Sequence, residues 1–378
     1  MYSAYHDFLA HNPYPRDLST TDTSLLNFSH SDYLGLSQHP EMIARSMHYV
    51  ERYGTSVSAS RLVSGNIACY DEIESLLACH LGKESALIFP TGFQANISIL
   101  SALLDEKILG AKPLVFADHD VHASLIAGFQ HHSTFHRFKH NDLDHLTFFL
   151  KKSSCTNVTK IIVVESIYSM EGDVADLEGL ITLAKTHGAM LYVDDAHAVG
   201  MYGKNGFGKA CDYADDIDFL MGTFSKGLGG FGAYLGCAKV IRQYLINKCR
   251  GFIYSTGLPP SVLGSMQAAL ELVPTMKKER EHLQKLAESL RAFFRELDMS
   301  YGKSTTHIVP WIIGDANEAL AKAEQLKQAG ILAYPMRPPS VPHNLSRLRF
   351  CLSVSHTLQD LEKLKGCLAS LVSSTHHA

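Results

Sequence analysis

Between residues 84 and 240, short apolar runs alternate with stretches of helical period. The runs fall at 86–89, 114–117, 161–164, 190–193, 219–221 and 233–235. They are continuous rather than alternating, and a strand that is apolar on both faces is one buried on both faces. The pattern predicts a mostly parallel sheet covered by helices on either side. Ligands of such sheets sit beyond the carboxyl ends of the strands, so chemistry is sought just after each run.

Residues 261–297 have helical period, and their charge run Lys277-Lys278-Glu279-Arg280-Glu281 reads as a solvated helix face. A second, smaller α/β pattern follows. It has an apolar run at 307–313, a helix over 318–329, a turn at Arg337-Pro338-Pro339, a strand at 348–352 and a closing helix over 358–372. The expected division is an N-terminal arm (1–40), a large domain (41–280) and a small C-terminal domain (281–378).

Composition narrows the class without naming it. A chain of 378 residues, 46% hydrophobic and 19% charged, is long enough for two or three domains and a large core without staples. A formal charge of −4 argues against a nucleic-acid partner or a membrane-surface binder. No apolar stretch approaches the length of a membrane span, and the first fifteen residues lack the apolar run of a signal peptide. The eight cysteines form no CxxC pair and several sit in apolar runs, as expected of reduced thiols in a cytoplasmic protein. The 21 histidines are compatible with metal binding, acid–base chemistry or neither. No HExxH or paired Cys/His spacing favours a metal site.

The strand ends carry the candidate chemistry. Val193-Asp194-Asp195-Ala196-His197 puts a carboxylate and an imidazole after one strand, and Thr223-Phe224-Ser225-Lys226-Gly227-Leu228-Gly229-Gly230 puts a lysine in a glycine-rich loop after the next. Singly, the first reads as a capping pair and the second as a surface lysine. Together they suit a pyridinium cofactor, which needs a carboxylate at its ring nitrogen and a lysine for its aldehyde. Thr91-Gly92-Phe93 opens a helix whose free N–H groups suit a phosphate, although alone the turn reads as an N-cap. Val121-His122-Ala123-Ser124 offers a ring to stack on a flat cofactor or, read blandly, a capping histidine. Glu165-Ser166-Ile167-Tyr168-Ser169-Met170-Glu171 adds polar groups at the same rim.

Further stretches carry a resemblance. With the two strand-end motifs, Ser31-Asp32-Tyr33-Leu34-Gly35-Leu36, Ser60-Arg61-Leu62-Val63-Ser64-Gly65-Asn66 and Tyr254-Ser255-Thr256-Gly257-Leu258-Pro259-Pro260 resemble the α-oxoamine synthases. These are fold-type I pyridoxal-phosphate enzymes that condense an amino acid with an acyl thioester and release carbon dioxide. The resemblance implies a large domain with a mostly parallel seven-stranded sheet, a smaller C-terminal α/β domain, and a homodimer with its site between subunits. It implies Lys226 as the lysine that holds the cofactor aldehyde and later removes the Cα proton, Asp194 at the ring nitrogen, His197 at the ring oxygen and His122 stacked on the ring. Ser169 and Thr223 are implied beside the cofactor, and the amides of Gly92 and Phe93 at its phosphate, which Ser255 and Thr256 reach from the neighbouring subunit. Arg349 is implied as the clamp for the amino acid's carboxylate, with Ser340 also at the substrate. The stretches Arg337-Pro338-Pro339-Ser340-Val341-Pro342 and Ser346-Arg347-Leu348-Arg349-Phe350 resemble those of family members that use L-alanine and a pimeloyl thioester, and the resemblance implies these substrates, the acyl group borne by coenzyme A or an acyl carrier protein.

Two departures from the family pattern stand out. A glycine-rich loop is replaced by Gly54-Thr55-Ser56-Val57-Ser58-Ala59-Ser60-Arg61, and a customary histidine by Tyr70. Arg16 is the candidate for a substrate arginine expected in the N-terminal arm. Competing readings at this point are a sister synthase using glycine, a transaminase of the same fold, and a non-catalytic binding protein.

Overall fold

The computed structural model describes residues 2–375 apart from 13, 14, 16, 17, 19 and 155, with the backbone only at 374 and 375. Twelve strands are described: β1 Leu26–Asn27, β2 Ser85–Phe89, β3 Leu114–Asp118, β4 Thr134–Phe138, β5 Lys160–Glu165, β6 Met190–Asp194, β7 Phe219–Thr223, β8 Ala233–Cys237, β9 Ile308–Gly314, β10 Ile331–Leu332, β11 Pro335–Met336 and β12 Ser346–Cys351. Seven of them form one sheet in the order β2-β8-β7-β6-β5-β3-β4. Only β8 runs against its neighbours.

The six expected runs are all strands of this sheet, and β2, β5, β7 and β8 are buried at every position. The seventh strand, β4, sits at the sheet edge and is largely exposed. It therefore lacks the continuous apolar run that marks the others. Parallel register puts Glu165 beside Asp194, both at the carboxyl ends of their strands.

The helical stretch expected over 261–297 is two helices, not one. Pro260–Leu272 ends in a tight turn over Val273–Thr275, and Lys277–Glu296 starts afresh. Pro274 lacks the N–H that a continuous helix requires and clashes with the preceding turn. Beyond it lies a three-stranded antiparallel sheet, β11-β12-β9. Arg349 sits on its central strand, opposite Pro310. The N-terminal segment is sewn onto this part of the chain: β1 pairs with β10, Cys351 N donates to Phe28 O (2.8 Å) and Val354 N to Tyr33 O (2.9 Å).

Tyr70 and the end of the 54–61 loop serve packing. Arg61 and Arg242 both bind the buried carboxylate of Glu74, which also accepts the Ile88 amide (2.9 Å). The Arg61 guanidinium lies 3.8 Å from the Tyr70 ring centre, and the Tyr70 hydroxyl accepts the Leu258 amide (2.6 Å). Ser60 bridges Thr256. The cluster thus fixes the 255–258 segment against the 54–61 loop. Removing one partner of a buried ion pair strands the other charge, at a cost of about 3 kcal/mol or more. Glu74→Ala is expected to destabilise the chain by about that amount in urea unfolding; a loss below about 1 kcal/mol contradicts this account of the cluster.

Candidate active site

The sheet delivers the side chains. Asp194 closes β6 and is buried. One of its oxygens accepts from Asn96 Nδ2 (2.8 Å) and the other from the Ala196 amide (3.0 Å). Asn96 is held in turn by the Tyr192 hydroxyl (2.7 Å) and donates to Ser124 Oγ (3.0 Å). Successive strand residues face opposite ways, so Asp195 points elsewhere: it binds Ser166 Oγ and the Ala210 amide, and burial pushes it up to about 7. Gly208 lets it in, since a Cβ there would lie 1.9 Å from its carboxylate oxygen.

Lys226 follows β7, and its Nζ lies 2.8 Å from His197 Nε2. Burial lowers the affinity of the lysine for its proton, although Asp194 and Glu165 oppose this. Burial also pushes His197 well below its ordinary value, helped by the charges of Lys226 and Arg349. Both therefore favour the neutral form, and a neutral amine is the nucleophilic one. Glu165 is driven well above the usual carboxylate range by burial and then by Asp194.

His122 plays the role of a cap: it precedes the helix Ala123–Phe129, and its Nδ1 accepts the Ser124 amide (3.2 Å). Its own amide donates to Glu165 Oε1 (2.5 Å). Burial lowers its pKa, and Asp194 and Lys226 act on it electrostatically in opposite senses. The helix Gly92–Leu103 starts at this rim, where Thr91 Oγ1 caps the Gln94 amide (3.1 Å). The amides of Gly92 and Phe93, at the first two helical positions, have no acceptor within the helix. Gln94 donates to Ser255 Oγ (2.6 Å), which ties the 255–256 segment to this helix start.

Arg349 donates to Ser169 O (3.3 Å), while its Nε is buried without a hydrogen-bond partner. Among the described residues no ion pair involves Arg349, whereas Arg347 two residues earlier is paired with Glu171. The structure thus draws Lys226, Asp194, His197, His122, Arg349 and Ser169 into one region with Thr223, Gly92 and Phe93 at its edge. Ser340 stands exposed on the turn after β11, its amide donating to Arg337 O (2.9 Å). Arg16 lies outside the described residues. Asn96, Ser124 and Tyr33 were given no role by the sequence reading, and Glu165 only a place at the rim. Ser124, Glu165 and Tyr33 lay inside stretches already singled out, and the signals were a polar residue on a buried helix face for Asn96 and a carboxylate ending a buried strand for Glu165.

A cofactor of the expected kind fits these residues. Thr223 Oγ1 is buried without a partner, and a Cβ at Gly92 would lie 2.8 Å from Thr223 Cγ2. The helix start is thus held bare of side chain, with a free hydroxyl and two free amides beside it, as a phosphate requires.

Comparison with known proteins decides the family. The model of the aminotransferase class I and II family matches residues 23–366. The chain belongs to that family. A Gluconacetobacter diazotrophicus protein named 8-amino-7-oxononanoate synthase is 46% identical over 91% of this chain and 87% of its own. A Magnetococcus marinus protein, provisionally given the same name, is 46% identical over 94% of this chain and 91% of its own. Among solved structures, a Sphingomonas wittichii serine palmitoyltransferase superposes with a TM-score of 0.89 at 27% identity, covering 99% of this chain and 96% of that one. Another serine palmitoyltransferase structure, solved with PLP, gives 0.87 at 29%. The protein is a fold-type I transferase whose cofactor is pyridoxal phosphate. Among the described residues no helix is long and apolar enough to cross a membrane.

The loop that carries Ser169 is pinned by His140, which bridges Asp118 (2.9 Å) and Asp173 (2.9 Å). Burial opposes a charge there, but the bonds to the two carboxylates outweigh it and lift His140 to about 10. A folded-state value above the unfolded one stabilises fully at pH below about 6.5 and ceases to do so as pH rises through about 10. The stability gap between the wild type and His140→Asn is therefore expected to shrink over that interval in thermal unfolding. A gap that does not change with pH contradicts a charged pin.

Proposed function

We propose that the protein joins L-alanine to a pimeloyl thioester, with loss of carbon dioxide and the thiol carrier, to give 8-amino-7-oxononanoate in biotin synthesis. The observation that carries the reading is Arg349, a guanidinium without an ion-pair partner among the described residues whose charge acts on Lys226 and His197. An amino acid's carboxylate is the ligand that a planar bidentate donor suits. The names borne by relatives at 46% identity support this choice of substrates.

When bound, pyridoxal phosphate supplies an aldehyde that takes an amine and a pyridinium ring that withdraws electrons from the amino acid's Cα. Lys226, whose hold on its proton burial weakens, would be the nucleophile for that aldehyde and then the base for the Cα proton. Asp194, fixed by Asn96 and the Ala196 amide, keeps a proton on the ring nitrogen. His197 bonds the ring oxygen, and His122 lies against the ring. Thr223 and Ser169 line the cofactor, the amides of Gly92 and Phe93 take the phosphate, and Ser255 and Thr256 take that of a neighbouring subunit. A homodimer is supported by exposed apolar side chains flanking this rim, Phe93 and Tyr254 among them. Arg349 would grip the carboxylate while the deprotonated Cα attacks the thioester carbonyl and the carrier departs as a thiolate, which takes its proton from water. It then releases that carboxylate as carbon dioxide, and Lys226 returns the proton to Cα.

The second reading, a sister synthase with a different amino acid and acyl chain, is favoured by the serine palmitoyltransferase superpositions. A panel of alanine, glycine and serine against pimeloyl-CoA and acetyl-CoA, with product mass as readout, separates the two. Alanine with pimeloyl-CoA is expected to dominate; a preference for another pair overturns the substrate assignment. Lys226→Ala is expected to abolish turnover and the visible absorbance of the loaded enzyme. Asp194→Asn is expected to retain cofactor but slow Cα proton exchange by about 100-fold or more; an unchanged rate removes Asp194 from the chemistry.

A further inference from the structure

Tyr33 reaches the centre of this site from the N-terminal segment, and the reaction as described gives it no task. Its side chain is fully buried. Its hydroxyl lies 2.7 Å from His197 Nδ1, while Nε2 of the same ring lies 2.8 Å from Lys226 Nζ. The tyrosine is held from several sides. Its carbonyl accepts the Val354 amide, Ser353 Oγ donates to the carbonyl of Asp32 (2.7 Å), and the Asp32 carboxylate takes the Leu36 and Ser37 amides. Its ring meets that of His307 edge-on at 4.0 Å between centroids.

A neutral imidazole donates from one nitrogen and accepts at the other, and the partner at one nitrogen decides which. Burial keeps the Tyr33 phenol protonated. The acceptor within hydrogen-bond distance of the phenol hydrogen is His197 Nδ1, at 2.7 Å. His307 does not compete for it, since both its ring nitrogens are without hydrogen-bond partners.

We propose that Tyr33 is a positioning residue for the reaction: by donating to His197 Nδ1 it holds the imidazole with its hydrogen on Nε2, so that an N–H faces the Lys226 amine and the ring oxygen of the bound cofactor. The role at the ring oxygen rests on the cofactor reading given above. The orientation of the imidazole does not, and it is set before any ligand arrives. It also ties the site to the N-terminal segment, since Ser31, Asp32 and Tyr33 fold as one turn against the residues that follow β12.

The test is nitrogen-15 NMR of histidine side chains in the full-length, cofactor-free chain, with the His197 signals assigned by their loss in His197→Asn. The wild type is expected to show a protonated Nε2 and a bare Nδ1 at His197, and Tyr33→Phe to move both shifts toward a common value. In the loaded enzyme Tyr33→Phe is expected to lower kcat about tenfold, to leave KM for the amino acid nearly unchanged, and to add nothing to the loss caused by His197→Asn. A wild-type His197 with its hydrogen on Nδ1 overturns the proposal, as do losses that multiply in the double variant. Should Tyr33→Phe fail to fold, the wild-type spectrum alone decides the orientation. A mistaken substrate assignment would appear in the amino-acid panel and leave these spectra unchanged.

Discussion

Burial of an amine beside two carboxylates, at the carboxyl ends of adjacent strands, is the constraint on which the other features depend. Glu165 and Asp194 are buried at the ends of adjacent strands, with the half-buried Lys226 in the loop after the next strand, so water solvates these charges poorly. Unpaired charges are costly in such surroundings. The structure answers by favouring neutral forms, raising Glu165 and depressing Lys226 and His197. It also spends hydrogen bonds on the carboxylate that stays in place, with Asn96 and the Ala196 amide on Asp194. The same arrangement favours a reactive amine, and such tuned groups gather at functional sites.

Around this centre the chain builds two kinds of support. Within the sheet, Tyr192, Asn96 and Ser124 run from β6 through the helix Gly92–Leu103 to the helix that His122 caps, so the carboxylate, the phosphate end and the histidine share one hydrogen-bonded frame. Across the sheet, the small antiparallel unit contributes Arg349 and is joined to the centre through Ser169 and through the turn at Tyr33. Arg349 therefore meets the cluster from a separate sheet.

Much of this was legible in the chain. The strands of the sheet announce themselves because burial on both faces demands unbroken apolar runs; β4 does not, because an edge strand with one solvated face carries Thr134, His136 and Arg137. The break at Pro274 lies inside a stretch whose apolar period continues on either side, so period alone joins the two helices. Asp194, His197 and Lys226 stand out because chemistry needs those residue types just past strand ends. The groups that orient them do not. Tyr33 and His197 lie 164 residues apart, and no local pattern records that a tyrosine hydroxyl meets a particular imidazole nitrogen. The departure at Tyr70 had the opposite fate: conspicuous against the family pattern, it is accounted for by its hydroxyl's bond to the Leu258 amide and by the Arg61 guanidinium over its ring.

The central claim is that the strand-end cluster holds the cofactor through one lysine. Reduction of the pyridoxal-phosphate-loaded protein with borohydride, followed by peptide mass mapping, reads that attachment directly. The account predicts that the pyridoxyl label lands on the peptide containing Lys226 and on no other lysine to a comparable extent. A label on a different lysine, or spread evenly over several, would contradict it.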